Sequence, residues 1–500
     1  MIGATEAARA LRSGRLADAE RAARRSLADE GEDAMAHWVL ATVCRRTAQW
    51  APAADHLEAA LRLDPRFLPA LQDLGALRMR FGDAEGALSV YRAAVDAAPT
   101  KIGARQGMLV AMHYCASVGA AELAEAHRAA GALFPDRAPR PARRPRAGGP
   151  IRVGFVSADF RRHATLSFLP PMLRALDRGR IEVTLYSVVR QPDAGTALFR
   201  GLADRWVDAD PLDDDALATR VAADRIDLLI DLNGHTAGNR LGLFARRPAP
   251  VQATWLDYVH STGLAQIDWF LTDGDHVPPE EDGRHVERPL RLAPGTFCFD
   301  PPGDAPEPHR RPGPFTFGSF NALEKVGPAA LAAWAEILRE APGSRLLVSA
   351  AALDRAPARN RVLGTLAAAG ADPARVELLG RTDRDGMLER YGAIDLHLDS
   401  FPYSGGLTTL EALWMGVPTL TFRGDRIAGR HSASHLRRAG LARFVARDPA
   451  DYIRQAVAFA RDPAPLAALR PALRERVADS SLVDGASQAR AFADLATAIA

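Results

Sequence analysis

Apolar positions in the first quarter of the chain recur at helical spacing, and the pattern repeats. Leu40, Ala41, Ala53, Leu57, Ala60 and Pro65 are matched 34 residues later by Leu74, Gly75, Ala87, Tyr91, Ala94 and Pro99. Small residues let paired helices approach closely, and the proline closes the second helix of each unit. A degenerate copy precedes, with Ala19 and Ala23 in step, and another follows over 102–135. From Ile151 the period changes. Short apolar runs (RVGFVS, IEVTLYSVV, DLLIDLNG, VQATWL, DWFLTD) alternate with helical stretches such as 166–178 and 213–224. They read as buried parallel strands. A second series runs FTFGSF, helix 328–341, RLLVSA, helix 359–369, VELLG, helix 385–393, DLHLDS, helix 408–415 and PTLTF.

The 34-residue unit is the tetratricopeptide pattern. Two Pro/Gly-rich gaps divide the chain. DRAPRPARRPRAGGP (136–150) reads as a stiff basic linker, a solvated hinge or a contact for an acidic partner. The second gap lies at 301–314. The expected domains are helical repeats over 1–135, the linker 136–150, a first α/β lobe over 151–300, the linker 301–314 and a second α/β lobe over 315–500. In parallel sheets ligands bind beyond the carboxyl ends of the strands, here in the cleft between lobes.

Composition narrows the classes. Five hundred residues suit about three domains. Lys+Arg 63 against Asp+Glu 61 leaves a net charge of +2, which gives no global attraction to nucleic acid or anionic lipid. Three cysteines without a CxxC indicate neither a disulfide framework nor a zinc ribbon. No apolar run reaches the ~18 residues of a membrane span, and the first residues, with Glu6, Asp18 and Glu20, lack an export core. A cytoplasmic protein is expected. Of the 63 basic residues only Lys101 and Lys325 are lysines. A lysine that persists in so arginine-rich a chain is a candidate for a place where a guanidinium does not fit.

Polar residues gather at several strand ends. After RVGFVS come Asp159 and His163; the histidine suits a base or donor to a substrate hydroxyl, or a helix cap. In DLLIDLNGHTAGNR, Asp231 either orients His235 or shapes a turn with it. In FGSFNALEKVGP, Asn321 and Lys325 sit at a strand–helix junction, where an ammonium suits a phosphate or developing anion. Lys101 lies between repeats and reads as solvated. In LDSFPYSGGLTTLEALWMGVPTL, Gly405 and Gly406 precede a helix whose open N–H groups can receive a diphosphate. Thr408 and Thr409 add hydroxyls, and Glu411, one turn in, can take the two hydroxyls of a ribose. Asp213, Asp214 and Asp215 read as a helix cap, and no metal-ligand motif is present, so a metal-independent mechanism is expected.

Together RVGFVSADFRRH, DLNGHTAGNR, LFARRPAPVQATWL, FGSFNALEK and LDSFPYSGGLTTLEALWMGVP resemble glycosyltransferase family 41, the tetratricopeptide-containing protein O-GlcNAc transferases, in its bacterial form. The resemblance implies a GT-B fold, a UDP-sugar co-substrate with no cofactor, and inverting, metal-independent transfer to Ser or Thr of a protein held by the repeats. It implies no nucleic-acid or membrane partner. By position it gives Lys325 the departing UDP, Thr408 and its neighbours the diphosphate, Glu411 the ribose, and His163 and His235 the sugar and acceptor side, with Asp231 nearby. The sequence departs from the family pattern in the loop WLDYVHST, where Asp257, Val259 and His260 replace Gly, Pro and Gly. Leu407 stands for a usual threonine and Met387 for a histidine that touches uridine, so acceptor, sugar and base choice remain open to another donor, to an Asn or glycan acceptor, or to an inactive scaffold.

Overall fold

The computed structural model describes residues 2–134, 141–142 and 148–500, so the linker expected at 136–150 lies largely outside the described residues. Eight helices open the chain: α1 (Ile2–Arg12), α2 (Leu16–Asp29), α3 (Ala34–Arg46), α4 (Trp50–Leu63), α5 (Leu68–Arg80), α6 (Ala84–Ala97), α7 (Ile102–Met112) and α8 (Ala120–Gly131). The repeat markers do what their sizes predict. Ala19, Ala23, Ala53, Ala60, Ala87 and Ala94 are fully buried where helices meet. The two complete units solve the same packing differently. A Cβ at Gly75 would stand 2.6 Å from the Tyr91 ring, so the larger side chain of the second unit is matched by a smaller partner. Asp33 and Asp83 cap α3 and α6 through the backbone N–H of Ala36 and Gly86.

Two parallel sheets follow. The first holds β1 (Ile151–Ser157), β2 (Ile181–Ser187), β3 (Arg205–Asp208), β4 (Leu228–Asp231), β5 (Val251–Thr254), β6 (Trp269–Thr272) and β7 (Arg288–Arg291), in the order β3-β2-β1-β4-β5-β6-β7. The second holds β8 (Thr316–Ser319), β9 (Arg345–Ser349), β10 (Val376–Leu379), β11 (Leu396–Leu398), β12 (Thr419–Phe422) and β13 (Val445–Ala446), in the order β10-β9-β8-β11-β12-β13. The central strands are the apolar runs of the sequence. β3 and β7 are edge strands with exposed or half-exposed arginines, and they carry no apolar run to betray them. The helix expected over 166–178 is shorter: a 3-10 turn at Ala164–Ser167, then Pro170–Ala175, which Pro170 and Pro171 start and whose short apolar face is buried.

Strand order reverses between β1 and β4 in one sheet and between β8 and β11 in the other. Such reversals open a crevice beyond the strand ends. All four of the candidate segments end at these four strands.

The second lobe, expected to run through residue 500, does not keep its final helix. Gly485–Ile499 crosses to the first sheet, where the Phe492 ring stacks between Phe155 and Trp255 with centroids 5.9 Å from each. Gln488 fastens it by donating to the carbonyls of Gly295 and Thr296. Its apolar stripe is the physical reason: Ala489, Phe492, Ala493 and Ala496 find a large uncovered face there.

Candidate functional site

The second lobe brings the predicted donor-side residues together. Lys325 ends a 3-10 turn after β8, and its Nζ donates to the Ser404 carbonyl at 3.3 Å. The same ammonium lies 4.3 Å from the centroid of the Tyr403 ring. Burial pulls its pKa down to about 8, against the pull of Asp399 and Glu324. Gly406 opens the helix Leu407–Trp414 with no side chain capping it, and a Cβ there would meet open space. Gly405 is crowded instead: a Cβ would stand 2.6 Å from Thr409 Oγ1 and 2.8 Å from Thr408 Oγ1. The Gly405 amide is turned inward, so the uncapped helix start at Gly406 is what lies open beside the ammonium, an arrangement that suits an anion.

Asp399, a residue whose role sequence reading did not anticipate, organises this loop. Its Oδ1 accepts from the N–H groups of Gly405 (2.7 Å) and Ser400 (2.9 Å), and its Oδ2 from Thr421 Oγ1 (2.6 Å). The signal was its place, a carboxylate directly after the last residue of β11. Asn321 bridges the two loops: its Nδ2 donates to Asp399 (3.4 Å) and its Oδ1 accepts from Thr408 Oγ1 (2.7 Å). Thr409 does not reach the crevice. It is fully buried, and its hydroxyl bonds Ser432 and the Gly405 carbonyl. Glu411 is buried one turn in, and its carboxylate makes no hydrogen bond or ion pair to a described residue. Burial pushes its pKa up to about 7, and Arg384 only partly offsets this. Such a carboxylate lacks the partners a buried acid normally has.

On the first lobe His163 is more than a third exposed, and it does cap the 3-10 turn at Ala164–Ser167. Its Nδ1 bonds Thr165 Oγ1 at 3.0 Å, and burial lowers its pKa while Asp159 raises it. Asp159, His163 and Asp257 offer ligand atoms within 4.8 Å of one another, the one such grouping among the described residues. Burial, Asp159 and Asp231 drive Asp257 up to about 8, although Thr165 donates to it. Asp257 is also felt by Tyr403 of the other lobe, so the two faces of the crevice meet here.

Asp231 and His235 are not a pair. Asp231 is a turn organiser, accepting from Gly234 N–H (2.8 Å), Thr254 Oγ1 (2.9 Å) and Asn233 N–H (3.2 Å), and burial pushes its pKa up to about 6. His235 donates through Nε2 to the Thr262 carbonyl (2.8 Å) and turns into the junction with the repeats. There five imidazoles crowd together. His127 stacks on His260 at 4.3 Å, His260 meets His285 at 5.0 Å, and Tyr258 donates to His127 Nε2 (2.6 Å) and accepts from His113 Nε2 (3.2 Å). His113, His235, His260 and His285 each leave Nδ1 buried without a hydrogen-bond partner among the described residues. Close contact needs bare backbone: a Cβ on Gly131 would collide with the Gly263 carbonyl.

The repeats also reach the glycine loop of the second lobe. Tyr114 stacks on Tyr403 at 4.7 Å, and the buried Arg426 donates to the carbonyls of Met112, Cys115 and Val118. The lobes are tied to each other by the Arg430–Glu281 pair and by His431 Nδ1–H donating to His276 Nε2 at 2.9 Å. The His276 Nδ1–H in turn donates to Asp273.

A family model described as glycosyl transferase family 41 matches residues 136–300 and 313–492. Proteins named probable UDP-N-acetylglucosamine–peptide N-acetylglucosaminyltransferase SPINDLY are similar: the one from Petunia hybrida is 36% identical over 407 residues, 78% of this chain and 43% of its own. The one from Arabidopsis thaliana is 36% identical over 408 residues, 78% of this chain and 44% of its own. The chain thus spans less than half the length of these relatives. Among solved structures, a lysine-to-methionine variant of the Thermobaculum terrenum O-GlcNAc transferase superposes with a TM-score of 0.89 at 35% identity, over 100% of this chain and 96% of that one.

Proposed function

The chain belongs to glycosyl transferase family 41, and from this we propose that it moves GlcNAc or another hexose from a UDP-sugar to a Ser or Thr hydroxyl of a protein, with inversion and without a catalytic metal. One observation carries the proposal: the Lys325 ammonium is fixed on the Ser404 carbonyl, two residues before the uncapped helix start at Gly406, with the Glu411 carboxylate one turn further on. Charge develops on the leaving diphosphate as the sugar–oxygen bond breaks. A preformed cation and aligned N–H dipoles stabilise that charge without reorganising. Asn321 and Thr408 hold the loop in shape, and Glu411 receives the ribose diol. His163, whose Nε2 makes no hydrogen bond to a described residue, serves the acceptor hydroxyl across the crevice.

We assign residues 1–135 to presenting the acceptor, 151–300 to the acceptor side, and the expected 315–500, less the helix Gly485–Ile499 that packs on the first sheet, to the donor side. The reaction needs no cofactor beyond its UDP-sugar co-substrate. Among the described residues no helix is long and apolar enough to cross a membrane. The three cysteines are buried and unpaired, in keeping with a reducing cytoplasm.

Calorimetry with UDP and mass spectrometry of peptides incubated with UDP-GlcNAc test the proposal. Absence of UDP binding at millimolar ligand would sink it. A different nucleotide sugar is the second reading, favoured by Met387, which takes the Ser349 hydroxyl on its sulfur at 4.0 Å in place of a ring that could bond a base. A panel of donors decides between them.

A further inference from the structure

The repeats carry a groove of about 440 Å³ that the sugar-transfer chemistry does not use. Trp38, Thr42, Arg45 and Arg46 of α3, Trp50 at the start of α4, and Asp73 and Arg80 of α5 line it. Arg45 is already committed, paired with Asp73, which also accepts from Trp38 Nε1 at 2.9 Å. The other cations are not. Arg46 and Arg80 are exposed and make no ion pair among the described residues. Arg80 is held over the Trp50 ring, its guanidinium carbon 4.7 Å from the centroid, and Arg355 of the second lobe approaches the same ring at 5.5 Å. Arg355 too lacks an acidic partner among the described residues. Cations held by an indole keep their outward N–H donors free, and little side-chain entropy is left to lose when an anion arrives.

The groove also leads somewhere. Beyond Arg80 the backbone at Gly82 runs against the Leu323 carbonyl, where a Cβ would stand only 2.8 Å away. Leu323 begins the 3-10 turn that ends in Lys325. Arg80 lies near enough to draw down the Glu324 carboxyl on that turn, although burial raises it more.

We propose that this groove binds an acidic stretch of the acceptor polypeptide, its carboxylates on Arg46, Arg80 and Arg355, and so selects acceptors whose target hydroxyl lies beside a run of Asp or Glu. The proposal rests on the sugar-transfer reading for the word acceptor; the groove's binding preference stands apart from it. An extended peptide suits the site better than a nucleic acid. The Trp50 ring already carries Arg80 and Arg355, so it is not a free platform for a base, and Asp73 sits in the floor.

Fluorescence anisotropy of the full chain with labelled twelve-residue peptides tests it. One peptide is rich in Asp and Glu, one in Gln and Ser, one in Lys, and dodecathymidylate is the fourth probe. The acidic peptide is expected to bind about tenfold or more tighter than the neutral one at low salt, to weaken as salt rises, and to lose that advantage in the R46E/R80E variant. Equal binding of acidic and neutral peptides, tighter binding of the oligonucleotide, or an unchanged R46E/R80E variant with a wild-type melting curve each overturns it. UDP calorimetry on the unaltered chain is read separately. A chain that prefers acidic peptide but ignores UDP keeps the groove and loses the transferase; the converse loses only the groove.

Discussion

Lys325 Nζ donates to the carbonyl of Ser404 at 3.3 Å, so the cation and the glycine loop are joined before any ligand arrives. Replacing Lys325 with alanine should cost about 10²–10³-fold in transfer, the usual loss for one preformed donor to a developing charge. The fold should survive, because the lost contacts with the Ser404 carbonyl and the Tyr403 ring are offset by relief of a desolvated cation. Full turnover in K325A would remove the lysine from the mechanism.

The same ammonium sets an alkaline limit. Burial lowers its pKa to about 8, so above pH 8 the empty site holds a neutral amine. The profile of kcat/KM, which reports the free enzyme, should fall on its alkaline side with a midpoint near pH 8. A profile flat to pH 10 would show that charge at this position is not needed.

Glu411→Gln should separate binding from stability. Losing the diol acceptor should weaken UDP about tenfold, while 2′-deoxy-UDP should hardly notice. Folding raises the Glu411 pKa from 4.5 to about 7, so the folded chain holds the extra proton between those values. The stability this group contributes is complete below pH 4.5 and is lost as pH rises through 7. Thermal melting should therefore favour E411Q over the parent increasingly from pH 5 to pH 8. Parallel curves across that range would contradict the assignment.

The imidazole cluster predicts the opposite slope. Burial lowers His113 to about 3 and His235 to about 4, and it holds His127 and His260 lower than an ordinary histidine as well. The unfolded chain then takes up more protons, so stability present above pH 6.5 drains away as pH falls towards 4. His113 and His235 should each cost on the order of 1–2 kcal/mol at pH 5. Arg426 adds to the penalty at His113, and Arg284 and Arg291 at His285, where Glu281 and Asp282 oppose them; Glu287 lies against Ser261 and Thr262. His260→Leu should flatten the acid limb of the melting temperature between pH 7 and pH 5. An unchanged limb would place the acid sensitivity elsewhere.

Neighbouring glycines should behave differently. Gly405→Ala pushes a methyl into Thr408 and Thr409 and should lower both the melting temperature and UDP affinity. Gly406→Ala meets open space, so its fold should survive while donor KM rises. If the two variants melt and bind alike, the loop is not held as described.

The chain's period and its strand ends were legible in sequence because burial dictates them. Alanines at 34-residue spacing and apolar runs between helices admit few other structures. The meeting of the glycine loop and Lys325 was legible for the same reason: glycines before a helix and a lone lysine after a strand are local signals. What sequence could not show is long-range partnership. Thr409 looks like its neighbour Thr408 until Ser432 takes its hydroxyl. His235 looks like a partner for Asp231 until Thr262 and the repeats claim it. Edge strands such as β7 carry too little buried surface to leave a pattern.

The helix Gly485–Ile499 has a consequence for biosynthesis. Phe155 and Trp255 are translated early, yet the ring that covers them is among the last residues made. Until residue 492 has left the ribosome, the lobe made first displays an aromatic face to solvent. Vectorial folding cannot finish that lobe in order; its closure waits for the polypeptide to return from the far end, and a nascent chain stalled short of this point presents a sticky surface of the kind chaperones recognise.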